Sequence, residues 1–172
     1  MTATPAAPDL ERIFDALALH NVEYLLVGGI AARAYGARRP TFDVDCVPEP
    51  SRQNFDRLAA ALRYLHARLR VEGLSDDEAA LLPVQLSGST LVRMELSTWR
   101  TDGGDLDILA DIPDGDGRHM SYRELVERAT ELNLDGIVVR VAALDDVIAS
   151  KEWAGRPKDR DALPELRALR DE

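Results

Sequence analysis

Cys46 is the only cysteine among 172 residues, so no intrachain disulfide can form. No stretch reaches about 18 uncharged apolar residues, which excludes a conventional membrane-spanning helix. The first residues show no basic segment leading into an apolar one, so a soluble, cytoplasmic protein without membrane contact is expected. There is no internal repeat. Positive charge is also short: 21 Lys and Arg face 31 Asp and Glu, a formal net charge of -10. A surface built throughout for polyanions is therefore excluded, since phosphate backbones are held mainly by Lys and Arg. What is present is a 45% hydrophobic content, enough for one core. Residues 9–172 read as a single domain, and the Pro- and Ala-biased MTATPAAP at 1–8 reads as a disordered leader.

The charge is unevenly distributed. Residues 30–70 hold eight arginines (33, 38, 39, 52, 57, 63, 68 and 70) against four acids, a local excess of +4, while the rest of the chain carries -14. This basic block surrounds the segment RRPTFDVDCV, residues 38–47, the most informative stretch of the chain. Arginine-rich helices are also common as solvated faces, so the block alone does not decide a partner.

Helical and strand periodicities are mixed. DLERIFDALALH predicts a helix capped by Asp9 and stopped near Asn21. EYLLVGG predicts a strand ending in two glycines, followed by a short helix closed at Gly36. FDVDCV predicts a strand, and Ser51 caps a helix through FDRLAAALRYL. Ser75 with Glu78, and Ser121 with Glu124, have the spacing of capping boxes. STLVRMELSTW and GDLDILADI predict adjacent strands joined at Asp102-Gly103-Gly104. SYRELVERATEL predicts a helix leading to a strand at GIVVRVA, and the end is helical on both sides of Gly155 and Pro157. The expected class is α+β, with a mixed sheet core flanked by helices and a helical C-terminal segment.

Asp43 and Asp45 are two residues apart in a strand, so they share one face while Val44 and Cys46 turn to the core. At roughly 7 Å two like charges repel by about 0.6 kcal/mol in water and about 2.4 kcal/mol at an effective dielectric of 20. A half-buried pair of this kind favours a cation, and a small set of hard oxygen ligands suits Mg²⁺. Gly28-Gly29 lies between strand and helix, where backbone amides can approach a triphosphate. Asp105 and Asp107 also share a strand face, and either can supply a third carboxylate. Near the end, Lys151, Arg156, Lys158 and Asp159 surround a helix break and form a candidate phosphate clamp.

The sequence of GGIAARAYGARRPTFDVD, GDLDIL and LDDVIASKEWAGRPKDRDAL resembles the minimal nucleotidyltransferases of the DNA polymerase β superfamily, in particular the MenT-type and Abi-E-type toxin enzymes of toxin–antitoxin systems. The resemblance spans about residues 10–170. Many relatives carry Gly-Ser where this chain has Gly28-Gly29, so phosphate contact there would rest on backbone amides. The resemblance implies that Asp43, Asp45 and Asp107 bind two Mg²⁺ ions and that Asp107 assists deprotonation of an attacking hydroxyl. It implies that Gly28, Gly29 and Lys151 hold the NTP, that Arg39 reaches a phosphate or the acceptor strand, and that Asp159 orients Lys151 or the basic loop. The implied reaction is NMP transfer to a tRNA 3' end, with pyrophosphate released and translation blocked. A cognate antitoxin is the implied partner, acting at the Thr41 hydroxyl if the strand starts there. The alternatives are an aminoglycoside-type small-molecule nucleotidyltransferase, compatible with the 15 acids against six bases over residues 71–140, and a non-catalytic nucleotide-binding module.

Overall fold

Alternation of apolar and acidic residues in two non-adjacent segments, DVDCVP and GDLDIL, sets the centre of the fold. They form β2 (Asp43–Pro48) and β5 (Gly104–Leu109), which pair in parallel with Asp43 opposite Asp105 and Asp45 opposite Asp107. Val44, Cys46 and Leu106 are fully buried while the four aspartates stay half-buried on the other face. The structure, a computed structural model, describes residues 5–172; part of the proposed leader, residues 1–4, lies outside them. Residues 5–9 have no regular secondary structure, yet Pro8 is buried, and its Cα lies 3.2 Å from where a Gly104 Cβ would stand.

The chain runs through α1 (Leu10–Leu19), β1 (Tyr24–Val27), α2 (Gly28–Ala34), β2, α3 (Arg52–Tyr64), β3 (Arg68–Arg70), α4 (Asp76–Ala80), α5 (Gly88–Leu91), β4 (Leu96–Thr101) and β5. It continues with β6 (Asp111–Pro113), β7 (His119–Ser121), α6 (Tyr122–Arg128), β8 (Thr130–Leu134), β9 (Ile137–Val141), α7 (Leu144–Ala154) and α8 (Pro157–Arg170). Among the described residues, seven strands form one sheet in the order β3-β4-β5-β2-β1-β9-β8, and β6 and β7 pair separately. The large sheet is mixed: β2–β5 and β1–β9 are parallel, whereas β1–β2, β3–β4, β4–β5 and β8–β9 are antiparallel. This is the α+β arrangement expected from the sequence.

Local chemistry explains most boundaries. Asp9 accepts the Arg12 N–H at 3.1 Å, Ser51 accepts the Asn54 N–H at 3.2 Å, and both predicted capping boxes, Ser75/Glu78 and Ser121/Glu124, are closed. Asn54 is buried and holds α3 to the β1 entry, donating to Glu23 O and Glu49 O and accepting the Glu23 N–H.

Three expectations are corrected. STLVRMELSTW is not one strand: Ser87 caps α5, Leu91 is buried by it, and β4 begins only at Leu96. The helix from Ser121 stops at Arg128, because Ala129 turns extended and TELNL pairs with β9 across Asp135 and Gly136, both at positive φ. Thr41 lies outside β2, which starts at Asp43; the Thr41 hydroxyl instead donates to Asp43 O at 3.3 Å.

Candidate active site

Three of the predicted acids converge. Asp43, Asp45 and Asp107 each offer an oxygen, and these oxygens all lie within 4.8 Å of one another. Asp43 and Asp45 come from β2, and Asp107 stands opposite Asp45 on β5, so parallel register rather than chain proximity builds the group. Asp105 occupies the same face but is otherwise engaged: Arg70 of β3 bonds its carboxylate, and Arg100 of β4 approaches it at 3.7 Å. The choice left open between Asp105 and Asp107 thus has a geometric difference behind it. One of these carboxylates is neutralised by arginines, while Oδ1 of the other, Asp107, is buried with no hydrogen-bond partner among the described residues.

The electrostatics of the triad are those of an uncompensated anion cluster. Burial pushes the Asp45 carboxyl well above the ordinary carboxylate range, and the charges of Asp43 and Asp107 push it further. Asp43 is raised for the same reasons, burial first and then Asp107, with Lys158 opposing. An orphaned buried oxygen beside two carboxyls held against ionisation fits a hard divalent cation, which would supply the missing charge and accept the free lone pairs. Cys46 belongs to the core side: burial raises its thiol above its usual range, and it takes no part in the cluster.

The glycine pair stands directly over this group. Gly28 has φ +66°, and a Cβ built on it would lie 2.1 Å from Asp45 Oδ2; a Cβ on Gly29 would lie 2.7 Å from Thr41 Oγ1. The first glycine therefore lets the chain turn out of β1 without displacing the Asp45 carboxylate. The second makes room for Thr41, so a hydroxyl does stand beside the turn, carried by Thr41.

A cavity of about 350 Å³ opens beside the turn, lined at one end by Gly28, Gly29, Asp43, Asp45, Lys151, Arg156 and Lys158. Gly155, at φ +59°, ends α7 in the left-handed conformation, and Pro157 starts α8, so the break aims this basic segment at the carboxylates. Asp159 is 1% exposed; burial opposes its charge, but the Arg156 hydrogen bond at 2.7 Å and the charges of Arg156 and Lys151 outweigh it and hold its carboxyl below the usual range. Lys151 Nζ lies 3.6 Å from Asp159 Oδ1, a distance compatible with the orienting role that the resemblance implies for Asp159. Lys158, the other lysine of the candidate clamp, lines the same cavity and acts on the charge of Asp43. Arg39 lines it too, donating to Asp161 O at 3.5 Å.

The residues that sequence reading missed are on α8. Ala162, Glu165 and Leu166 line the far end of the cavity, at the spacing of one helix face. No local signal separates them from any other amphipathic stripe. A second cavity, of about 410 Å³, lies on the other side of the triad and is lined by Asp43, Asp105, Asp107, Glu72, Arg70 and Thr98, among others.

No family model matches the chain, and no curated protein matches its sequence. Solved structures do. The lincosamide antibiotic adenylyltransferase LnuA, in its lincomycin-bound form, superposes with a TM-score of 0.59 at 14% identity, over 94% of this chain and 96% of that one. ANT(2")-Ia in complex with adenylyl-2"-tobramycin gives 0.57 at 17%, over 94% and 92%. A nucleotidyltransferase candidate from Thermotoga maritima gives 0.55 at 15%, over 92% and 90%. The fold is that of nucleotidyltransferases. At this identity the likeness concerns the backbone, and the chemistry of the present site rests on its own residues. Among the described residues no helix is long and apolar enough to cross a membrane.

Proposed function

We propose that this chain is a Mg²⁺-dependent nucleotidyltransferase that moves NMP from an NTP to an acceptor hydroxyl and releases pyrophosphate. The observation that carries the reading is the triad of Asp43, Asp45 and Asp107, with an unpartnered buried oxygen, placed between two cavities on a nucleotidyltransferase fold. Asp43, Asp45 and Asp107 would hold the metal, the expectation being two ions, which supply charge neutralisation at the attacking and leaving oxygens.

The chain's own groups account for the rest. Lys151, Arg156 and Lys158 balance the triphosphate charge, and Gly28 and Gly29 let it approach the backbone. Asp159 keeps Lys151 and Arg156 extended toward the phosphates. Asp107, facing the second cavity, is placed to take the proton of an incoming hydroxyl.

Two acceptors are weighed. The sequence resemblance supports a tRNA 3' end, with the protein acting in the cytoplasm as a toxin restrained by a cognate antitoxin at Thr41. That threonine is half-buried on the cavity wall beside Gly29, where a phosphate would add about -1.5 to -2 charge against an incoming triphosphate. A specific observation favours the second reading, a cationic small molecule of the aminoglycoside kind. The acceptor-side cavity is lined by Asp43, Asp105, Asp107 and Glu72 against Arg70, which Asp105 already engages. The antibiotic-bound forms of two structural neighbours are in keeping with it.

One assay separates them. The protein is incubated with Mg²⁺ and each labelled NTP, with either total tRNA or a panel of polycationic antibiotics as acceptor. Label on tRNA alone supports the toxin reading, and label on a small molecule alone supports the other. Failure to label either, with no pyrophosphate released, would leave the non-catalytic binding module as the function.

A further inference from the structure

The nucleotide cavity is chemically polar along its length, and α8 forms one wall of it. At the start of that helix, Lys158 and Asp159 belong to the basic, carboxylate-bearing end. Further along the helix the wall becomes Ala162 and Leu166, with Ala32 and Ala37 also lining the cavity, and Glu165 stands six residues on from Asp159, about 9 Å along the axis. The one acid at this apolar end is Glu165, half-buried, with Oε1 accepting the Arg38 N–H at 2.7 Å. A triphosphate is directed to the cationic end and repelled from Glu165. The axial separation suits the span from an α-phosphate across a ribose to the pairing edge of a base. The base therefore rests on the alanine and leucine floor with Glu165 at its edge.

A carboxylate accepts hydrogen bonds and donates none. The four bases present different edges to it. Guanine offers two adjacent donors, N1–H and the 2-amino group. Adenine and cytosine offer one amino group beside a ring nitrogen that is itself an acceptor, and uracil offers one N–H between two carbonyl oxygens. Only guanine meets the carboxylate with paired donors and no opposed acceptor. The Arg38 N–H fixes the orientation of Glu165 through one lone pair of Oε1, which leaves Oε2 and the second lone pair of Oε1 for the paired donors of the base.

Resting on the nucleotidyl-transfer reading, we infer that Glu165 selects guanine, making GTP the nucleotide this site takes. Arg39 lies at the same wall through its contact with Asp161 O, and its planar guanidinium is available to stack on the base.

Calorimetric titration of the full chain in Mg²⁺ tests this, using GTP, ITP, ATP, CTP, UTP and inorganic tripolyphosphate against the natural sequence and Glu165→Gln. GTP is expected to bind at least about tenfold more tightly than ITP, which lacks the 2-amino group, and more tightly still than UTP. In Glu165→Gln that preference collapses while tripolyphosphate binds as before. Because glutamine keeps an oxygen for the Arg38 N–H, retained tripolyphosphate binding also reports an intact cavity. Equal binding of all the nucleotides, or a GTP preference that survives Glu165→Gln, overturns base selection alone. Binding of no nucleotide and no tripolyphosphate overturns the nucleotidyl-transfer reading together with it.

Discussion

Replacing Asp45 by asparagine should stabilise the metal-free protein while removing its response to metal. The three carboxylates offer oxygens within 4.8 Å of one another. At that separation and an effective dielectric of 20, each ionised pair repels by about 3.5 kcal/mol. Burial first, and then this repulsion, raise the Asp45 and Asp43 carboxyls, so part of the repulsion is avoided by protonation. A carboxyl raised on folding binds more protons in the native state than in the unfolded one. Stability therefore falls as pH climbs from the ordinary aspartate range through the raised value, and the full penalty applies above it. Asparagine is isosteric and uncharged, so Asp45→Asn removes the penalty at alkaline pH. Allowing for residual solvation and lost hydrogen bonding, the gain should be about 1–3 kcal/mol, or roughly 3–10 °C in Tm for a chain of this size. Thermal melts in EDTA at about pH 8 should show the variant above the natural protein. Added Mg²⁺ should raise the natural protein and leave the variant nearly unmoved. A variant that melts lower in EDTA, or that keeps the full Mg²⁺ increment, would refute the description of the triad as an uncompensated cation site.

Other perturbations address neighbouring groups. Asp107→Asn should abolish the Mg²⁺ increment in Tm, whereas Asp105→Asn, at a position already paired with Arg70, should keep most of it; equal losses would place both carboxylates on the metal. Gly28→Ala combines a strained positive φ, costing roughly 1–2 kcal/mol, with a Cβ aimed at the Asp45 carboxylate, so nucleotide transfer should be lost with only modest destabilisation in melts. Lys151→Ala and Lys158→Ala should each raise the KM for NTP several-fold, since both line the cavity; an unaltered KM in Lys158→Ala would remove that residue from the phosphate clamp.

The parts of this structure legible in the sequence are those encoded locally. Both capping boxes follow from Ser and Glu three apart, and the shared face of Asp43 and Asp45 follows from a period of two. The glycine turn and the Gly155-Arg156-Pro157 break are equally local. Pairing information is not. Asp105 and Asp107 satisfy the same alternation, and only Arg70 and Arg100, from strands that the intervening chain brings alongside, distinguish them. TELNL has no strong strand signature until β9 supplies its partner, so periodicity alone extends the preceding helix into β8. β3 and β7, at three residues each, are too short to show a period. Glu165 became visible only when α8 was folded against the cavity.

The most direct test of the central claim is pyrophosphate release measured on purified protein with NTP and acceptor, comparing the natural chain with Asp43→Asn and Asp107→Asn. Release should require Mg²⁺ and fall to background in both variants, with melts showing each still folded. Release that continues in EDTA, or at near-natural rates in either variant, would contradict it.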